Sequence, residues 1–353
     1  MTGSFRGWLM TATITAAAAG VFAQVTPAEG YTPPDDTPSI KIGATIFADY
    51  TKGDRIADAF NVSRAYINVT GNLNHYLAFR VTPDVTRESG NGSSLNGSLT
   101  LRLKYAYGQL SLDDWTTKGS WVRFGIVQTP YLDHTESIYR YRWQGTLFAE
   151  REGYMSSADA GIAGRWNFPG GYGDVQGGFY NGEGYSRAEV NDEKGLQIRG
   201  TLRPFPLGGV WKGLRVTGFA IEDSYQKDAK RERLIGQVTF EHTRGNAGVE
   251  LLSTKDRATP TVATVEGSGF ALWATPKLFN SSWELLLRHD ETKPTKGTDE
   301  KRKRDIAGIA YWVPNLQKVT AGVMLDYDSL RQSGFTPARP RDTRYGLKMF
   351  INF

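Results

Sequence analysis

Arg140 and Arg142 stand two residues apart in the stretch Tyr139-Arg140-Tyr141-Arg142-Trp143. A guanidinium group stays charged at any working pH and can grip a phosphate with two parallel hydrogen bonds. Two of them in one aromatic segment are candidates for holding an anion. Arg102, Lys104 and Arg123 are basic residues set among apolar and aromatic neighbours, and they complete the candidate anion-contact set. Other chemistries are poorly supplied. Cysteine is absent, so there is no disulfide framework, thiolate nucleophile or thiolate metal site. The four histidines, His75, His134, His242 and His289, are scattered, and no G-x-S-x-G or H-E-x-x-H pattern accompanies them. Catalysis, a cofactor, a metal and a nucleic-acid partner are not expected.

Such residues matter only if something aims them, and the last ten residues say what. Tyr345, Leu347, Met349, Ile351 and Phe353 fall on one face of a strand, and Arg344, Gly346, Lys348 and Asn352 on the other. An alternating final strand suits a sheet that closes on itself in lipid, where no edge can be left unpaired. The ending also resembles the C-terminal sorting signal read by the bacterial barrel-assembly machinery. At the other end, Arg6, a short alanine-rich apolar stretch and Val21-Phe22-Ala23 read as a signal peptide over residues 1–23. Residues 24–38, rich in Pro, Thr and Asp, read as a short periplasmic lead-in, and residues 39–353 as the barrel domain. Mean hydropathy is −0.43, and no later segment is long and apolar enough for a membrane helix. A barrel hides from such averages because only alternate residues face lipid.

Alternation recurs at about 40–50, 62–70, 76–84, 100–110, 121–128, 156–166, 174–180 and 196–203, then at about 213–221, 233–241, 247–254, 267–275, 283–290, 304–312, 318–327 and 344–353. The expected fold is therefore all-β, a transmembrane antiparallel β-barrel of about sixteen strands. Connectors alternate between short turns and longer polar loops. The longer set includes Thr51 to Ala59, Val85 to Leu99, Thr129 to Met155 and Glu222 to Glu232. Short turns would face the periplasm and long loops the outside. Trp121, Trp166, Trp273, Trp283, Trp312, Tyr327, Tyr345 and Phe353 lie near strand ends, where aromatic girdles meet the lipid headgroups.

A barrel of this size leaves an aqueous lumen. The strand phase opposite the apolar residues carries Lys41, Arg64, Arg80, Arg102, Lys104, Arg123, Arg165, Arg199, Arg203, Arg215, Arg233, Arg288, Lys318, Arg344 and Lys348. It carries fewer acids: Asp49, Asp84, Asp159, Glu241, Glu250, Glu284, Asp290 and Asp326. A basic wall concentrates anions, although some of these arginines must pair with carboxylates across strands. The longest loop, from Thr129, is aromatic enough to fold inward and set Arg140 and Arg142 at a constriction. Its other reading is a loop packed on a neighbouring subunit, with its arginines paired to Asp133 or Glu136.

Several motifs resemble one family. Phe60-Asn61-Val62-Ser63-Arg64-Ala65-Tyr66-Ile67-Asn68-Val69-Thr70-Gly71 and Phe79-Arg80-Val81-Thr82-Pro83-Asp84 look like the early strands of phosphate-selective porins O and P. Phe124-Gly125-Ile126-Val127-Gln128-Thr129-Pro130-Tyr131 is similar to that family's G-x-x-K-x-P-F approach to the third loop, and Leu147-Phe148-Ala149-Glu150-Arg151 to a later segment. The resemblance implies sixteen strands, homotrimers and diffusion of small anions such as phosphate across the Gram-negative outer membrane, amid lipid and lipopolysaccharide. Gln128 departs from the pattern, standing where the family often has Lys. The alternative is a general diffusion porin for small hydrophilic solutes with little ion preference.

Overall fold

Each expected segment is a strand. They run β1 (Ser39–Gly53), β2 (Ile56–Asn72), β3 (Leu77–Arg87), β4 (Leu99–Ser111), β5 (Trp121–Gln128), β6 (Ala158–Asn167), β7 (Gly173–Tyr180) and β8 (Gly195–Leu202). They continue β9 (Leu214–Gln226), β10 (Ala229–His242), β11 (Gly245–Asp256), β12 (Val265–Pro276), β13 (Trp283–Lys293), β14 (Lys301–Trp312), β15 (Thr320–Ser333) and β16 (Asp342–Asn352). The computed structural model describes residues 36–353 except Ser89, Asn91 and Asn280. The expected signal peptide and the lead-in up to residue 35 lie outside the described residues.

The sixteen strands pair antiparallel, each with its sequence neighbours, and β16 closes on β1. The closing register runs from Thr45 opposite Asn352 to Gly53 opposite Arg344. Phe353 adds one more pair: its N–H donates to the Ala44 carbonyl at 3.0 Å and its carbonyl accepts from the Ala44 N–H at 2.9 Å. Gly43 makes room for that last residue, since a Cβ there would sit 2.4 Å from the Phe353 oxygen. Ile40, Ile42, Leu101, Phe124, Leu234, Leu325 and Leu347 are exposed on the outer face, as alternation requires of a sheet bathed in lipid.

Three expectations need correction. Thr51 to Ala59 and Glu222 to Glu232 are mostly strand, joined by two-residue turns at Asp54-Arg55 and Lys227-Asp228. Their charges pair across the hairpins, Lys52 with Asp58 at 3.8 Å and Lys230 with Glu222 at 2.9 Å. Beyond the lipid a strand has no need of an apolar face, so charge alone does not mark a loop. Lys318 lies in the turn before β15, exposed and at φ 59°, not on the inner wall. Finally, Trp121 and Trp273 are buried on the inner face, and Trp312 turns inward against Tyr141 and Trp143. Trp166, Trp283, Tyr345 and Phe353 do face outward.

Glycine is required where strands approach closely at an unusual backbone angle. Gly125 in β5 has φ +128°, and a Cβ there would meet the Ala106 carbonyl oxygen at 2.2 Å. Gly125→Ala should destabilise the β4–β5 pairing by about 2 kcal/mol. The expected result is a lower unfolding temperature of the barrel in detergent, read by its heat-modifiable gel mobility.

Candidate functional site

The third loop is a helical hairpin laid inside the barrel. Thr129 and Pro130 start helix α1 (Pro130–Tyr139), with proline in the first turn where its missing N–H costs nothing. Arg140 ends it in the left-handed conformation, φ 61°. A one-turn helix α2 (Phe148–Arg151) follows. Tyr131, Leu132, Ile138 and Tyr139 of α1 are buried, so the apolar side of the loop faces the wall.

Anchors run round that wall from β8 to β16. Arg199 donates to the Pro130 carbonyl at 2.9 Å. Tyr131 stacks on Phe219 and accepts from Gln237 at 2.8 Å. Asn246 donates to the Ile138 carbonyl at 2.7 Å, and Tyr139 meets Trp273 edge to face. Trp143 stacks on Tyr141 and Phe350 and meets the edge of Trp312. Gln144 reaches Asp326 at 3.0 Å. The inward aromatics of the wall are thus the receptors for the aromatics of the loop. Strand parity carried the signal that some girdle candidates turn inward, for Trp121 shares the phase of Arg123.

The anchors also decide what the loop arginines can do. Arg140 reaches both oxygens of Glu284 at 3.1 Å, and Tyr141 donates to the same carboxylate at 2.9 Å. Arg142 bonds Glu136 at 2.9 Å and lies 3.5 Å from Glu150. Burial works against the Arg142 charge, but Glu150 and Glu136 outweigh it and hold its pKa above the usual value. An anion near either guanidinium meets attraction from the cation and nearly equal repulsion from its carboxylate. At about 4 Å and an effective dielectric constant of about 20 each amounts to about 4 kcal/mol.

The wall across from the loop differs. Pro83 cannot donate to the ladder and sits at a bulge, as strand prolines do. The register shifts between Thr82, opposite Tyr105, and Pro83, opposite Leu103, leaving Lys104 as the extra residue. Both Lys104 and Tyr105 therefore turn inward. Lys104 Nζ lies 3.4 Å from the Tyr66 hydroxyl and over the Tyr66 ring. Arg80 donates to Asn68 and Thr82, each at 2.9 Å, and covers Tyr105. Arg123 donates to Gln109 at 2.8 Å and Gln128 at 3.0 Å, and lies 3.8 Å from the Trp121 ring centre and 4.7 Å from that of Tyr107. Among the described residues none of these three cations has a carboxylate in ion-pair range. Neutral acceptors and ring faces fix them and leave their charge intact. Gln128 thus orients Arg123 where a lysine would add a charge.

Arg102 differs from these three. It shares the fully buried Asp84 with Arg64, at 3.3 Å and 2.5 Å. Tyr185, reaching in from the loop after β7, accepts from Arg102 at 3.1 Å and donates to Asp84 at 3.2 Å. Of the five candidates, then, Lys104 and Arg123 have no carboxylate partner, while Arg102, Arg140 and Arg142 are ion-paired. Arg80, read as lumenal but left out of the candidate set, joins the first group. Its signal was its company: neutral Asn68 and Thr82 in place of an acid.

Residues 40–279 match the family of phosphate-selective porins O and P. No curated protein matches the chain by sequence. Solved structures share the fold. The anion-selective porin from Comamonas acidovorans superposes with a TM-score of 0.62 at 12% identity, covering 90% of this chain and 100% of that one. OmpT of Vibrio cholerae in its trimer form gives 0.59 at 10%, covering 90% and 100%. Salmonella typhi OmpF gives 0.61 at 11%, covering 89% and 97%. At such identities the likeness is one of fold.

Two tests probe the loop clamp. Trp143→Ala empties an aromatic site that is 4% exposed and should cost about 3 kcal/mol. A lower melting temperature and a larger, noisier single-channel conductance are expected. His134 on α1 is held neutral, its pKa pushed down to about 2 by burial and by Arg199, Arg215 and Arg165. Between that value and the ordinary 6.5 the unfolded chain binds the proton and the folded one does not, so stability falls as pH drops from about 6.5. Melting temperature should decline from pH 7 to pH 4, and His134→Asn should flatten that decline.

Proposed function

The chain belongs to the phosphate-selective porin O and P family, and we propose that it works as a passive outer-membrane channel preferring small anions, oxyanions such as phosphate among them. The observation that supports this most is the trio Arg80, Lys104 and Arg123 on the wall facing the inward loop, none with a carboxylate in ion-pair range among the described residues. Fixed cations with no counter-charge raise the local anion concentration, and diffusion down a gradient needs no covalent step. In this reading residues 1–23 direct export, the barrel from Ser39 on assembles through its C-terminal strand with the barrel-assembly machinery, and three copies associate in lipid and lipopolysaccharide.

A general diffusion porin is the second reading, and one observation favours it. The lumenal side of α1 presents Asp133 and Glu136, and Glu136 is within electrostatic reach of Lys104. Acid facing base weakens the preference for either sign.

The reversal potential in a planar bilayer under a potassium chloride gradient separates the two. Anion selectivity is expected, falling about threefold or more in Arg80→Gln/Lys104→Gln/Arg123→Gln. Removing Arg140 and Arg142 should also lower it, because each removal leaves a carboxylate, Glu284 or Glu136, without its counter-charge. Block of chloride current by low phosphate would mark an oxyanion site. Weak selectivity in the parent, unchanged in the triple variant, would leave the general porin.

A further inference from the structure

The outer face of the barrel carries charge at its upper rim as well as apolar residues below. Odd-numbered strands end on the side of the third loop, which is read as the outside, so β14 and β16 begin there and β15 ends there. On β14 Lys301, Lys303 and Asp305 alternate, opposite Ser333, Arg331 and Ser329 of β15. They share the outward phase of Ile309 and Leu325, both exposed. Arg341, just before β16, lies across this face. It donates to Ser329 Oγ at 2.9 Å and to the Tyr327 hydroxyl at 2.6 Å. Tyr327 pairs with the outward Tyr345, ring centres 5.5 Å apart. Tyrosines on the outer face of a barrel sit at headgroup level, which sets the Arg341 guanidinium level with the phosphates of the outer leaflet.

The charges of this rim do not balance. Arg331 meets Asp305 at 2.5 Å, and His289 shares that carboxylate at 2.6 Å. Lys303 meets Glu291 at 2.9 Å. Arg341 rests on two neutral hydroxyls and has no carboxylate in ion-pair range among the described residues. Lys301 adds a further cation. Lys303 and Arg331 stand directly opposite each other, Cα atoms about 5 Å apart, and like charges so placed repel. Ser329, under Arg341, is one same-face step from Arg331, about 7 Å. The rim of β9–β11 differs. Glu222 stands opposite Glu232 there, but Lys230 and Lys255 match them.

We propose that the β14–β16 rim is a docking site for the phosphorylated glycolipid of the outer leaflet, lipopolysaccharide. A lipid A phosphate lies among Lys303, Arg331 and Arg341, and the acyl chains lie on the apolar wall below, at the exposed Leu325 and Leu347. A lipid fits better than free phosphate because the cations border an apolar face, and only an amphiphile gains from both. The site is outside the pore and independent of its ion preference. It takes from the reading above only that the third loop faces outward.

Native mass spectrometry of the intact channel in detergent tests it, with lipid A, dephosphorylated lipid A and phosphatidylglycerol as probes. Lipid A, whose phosphate monoesters carry more charge than a diester, should bind about tenfold more tightly than the other two. Arg331→Gln/Arg341→Gln should lose that margin while its heat-modifiable mobility and its binding of dephosphorylated lipid A stay those of the parent. Lys230→Gln/Lys255→Gln, at the balanced rim, should keep the margin. Equal affinities for the three lipids in the parent overturn the proposal without recourse to a variant. A margin that survives in the arginine variant, or that is lost equally in the lysine variant, also overturns it. Displacement of lipid A by millimolar inorganic phosphate would assign these cations to a free anion and overturn the lipid site. The potassium chloride reversal potential of the parent judges the pore reading separately.

Discussion

In lipid a strand cannot leave its N–H and C=O groups unpaired, and that constraint closes the sheet. Closure has a second consequence. Every strand residue must point either to lipid or to the lumen, so the inner face is set by parity alone. Arg80, Arg123 and Trp121 share the inside because their positions leave them nowhere else to go. One local exception matters: the bulge opposite Pro83 breaks parity at β4 and brings Lys104 in beside Tyr105.

The lumen then divides into two halves with different jobs. From β8 to β16 it is a docking surface, with Phe219, Trp273, Trp312 and Phe350 receiving the aromatics of the third loop. Arginines on this side, Arg199 and Arg288 among them, donate to loop carbonyls at Pro130 and Thr146. From β2 to β5 it is a working surface, where Arg80, Lys104 and Arg123 rest on rings and amides. A guanidinium on an aromatic face is oriented at little cost to its field, whereas one on a carboxylate is oriented by cancelling it. The difference between structural and available charge in this protein is a difference of partners, not of residue type.

The fold was almost wholly legible in the chain. Period-two alternation placed all sixteen strands, because lipid outside and water inside impose it on every one. Legibility failed where that contrast ends. Residues 51–59 and 222–232 looked like loops because their strands rise beyond the lipid and carry cross-paired charges. The girdle reading failed at Trp273 and Trp312, where an inward aromatic met another aromatic from the loop, and at Trp121, whose ring lies under Arg123.

By itself the sequence determined the barrel, its inner and outer faces, and which basic residues could reach the lumen, since all of these follow from local alternation. Only the tertiary structure decided which cations stay free. Arg140 meets Glu284 because a long loop folds back across the barrel, and Arg142 meets Glu136 and Glu150 inside that loop. Arg102 shares Asp84 because β3 and β4 lie side by side. The Arg140 and Arg102 pairings join residues far apart in the chain, and no spacing along it records them; the Arg142 pairing with Glu136 was within reach of the sequence.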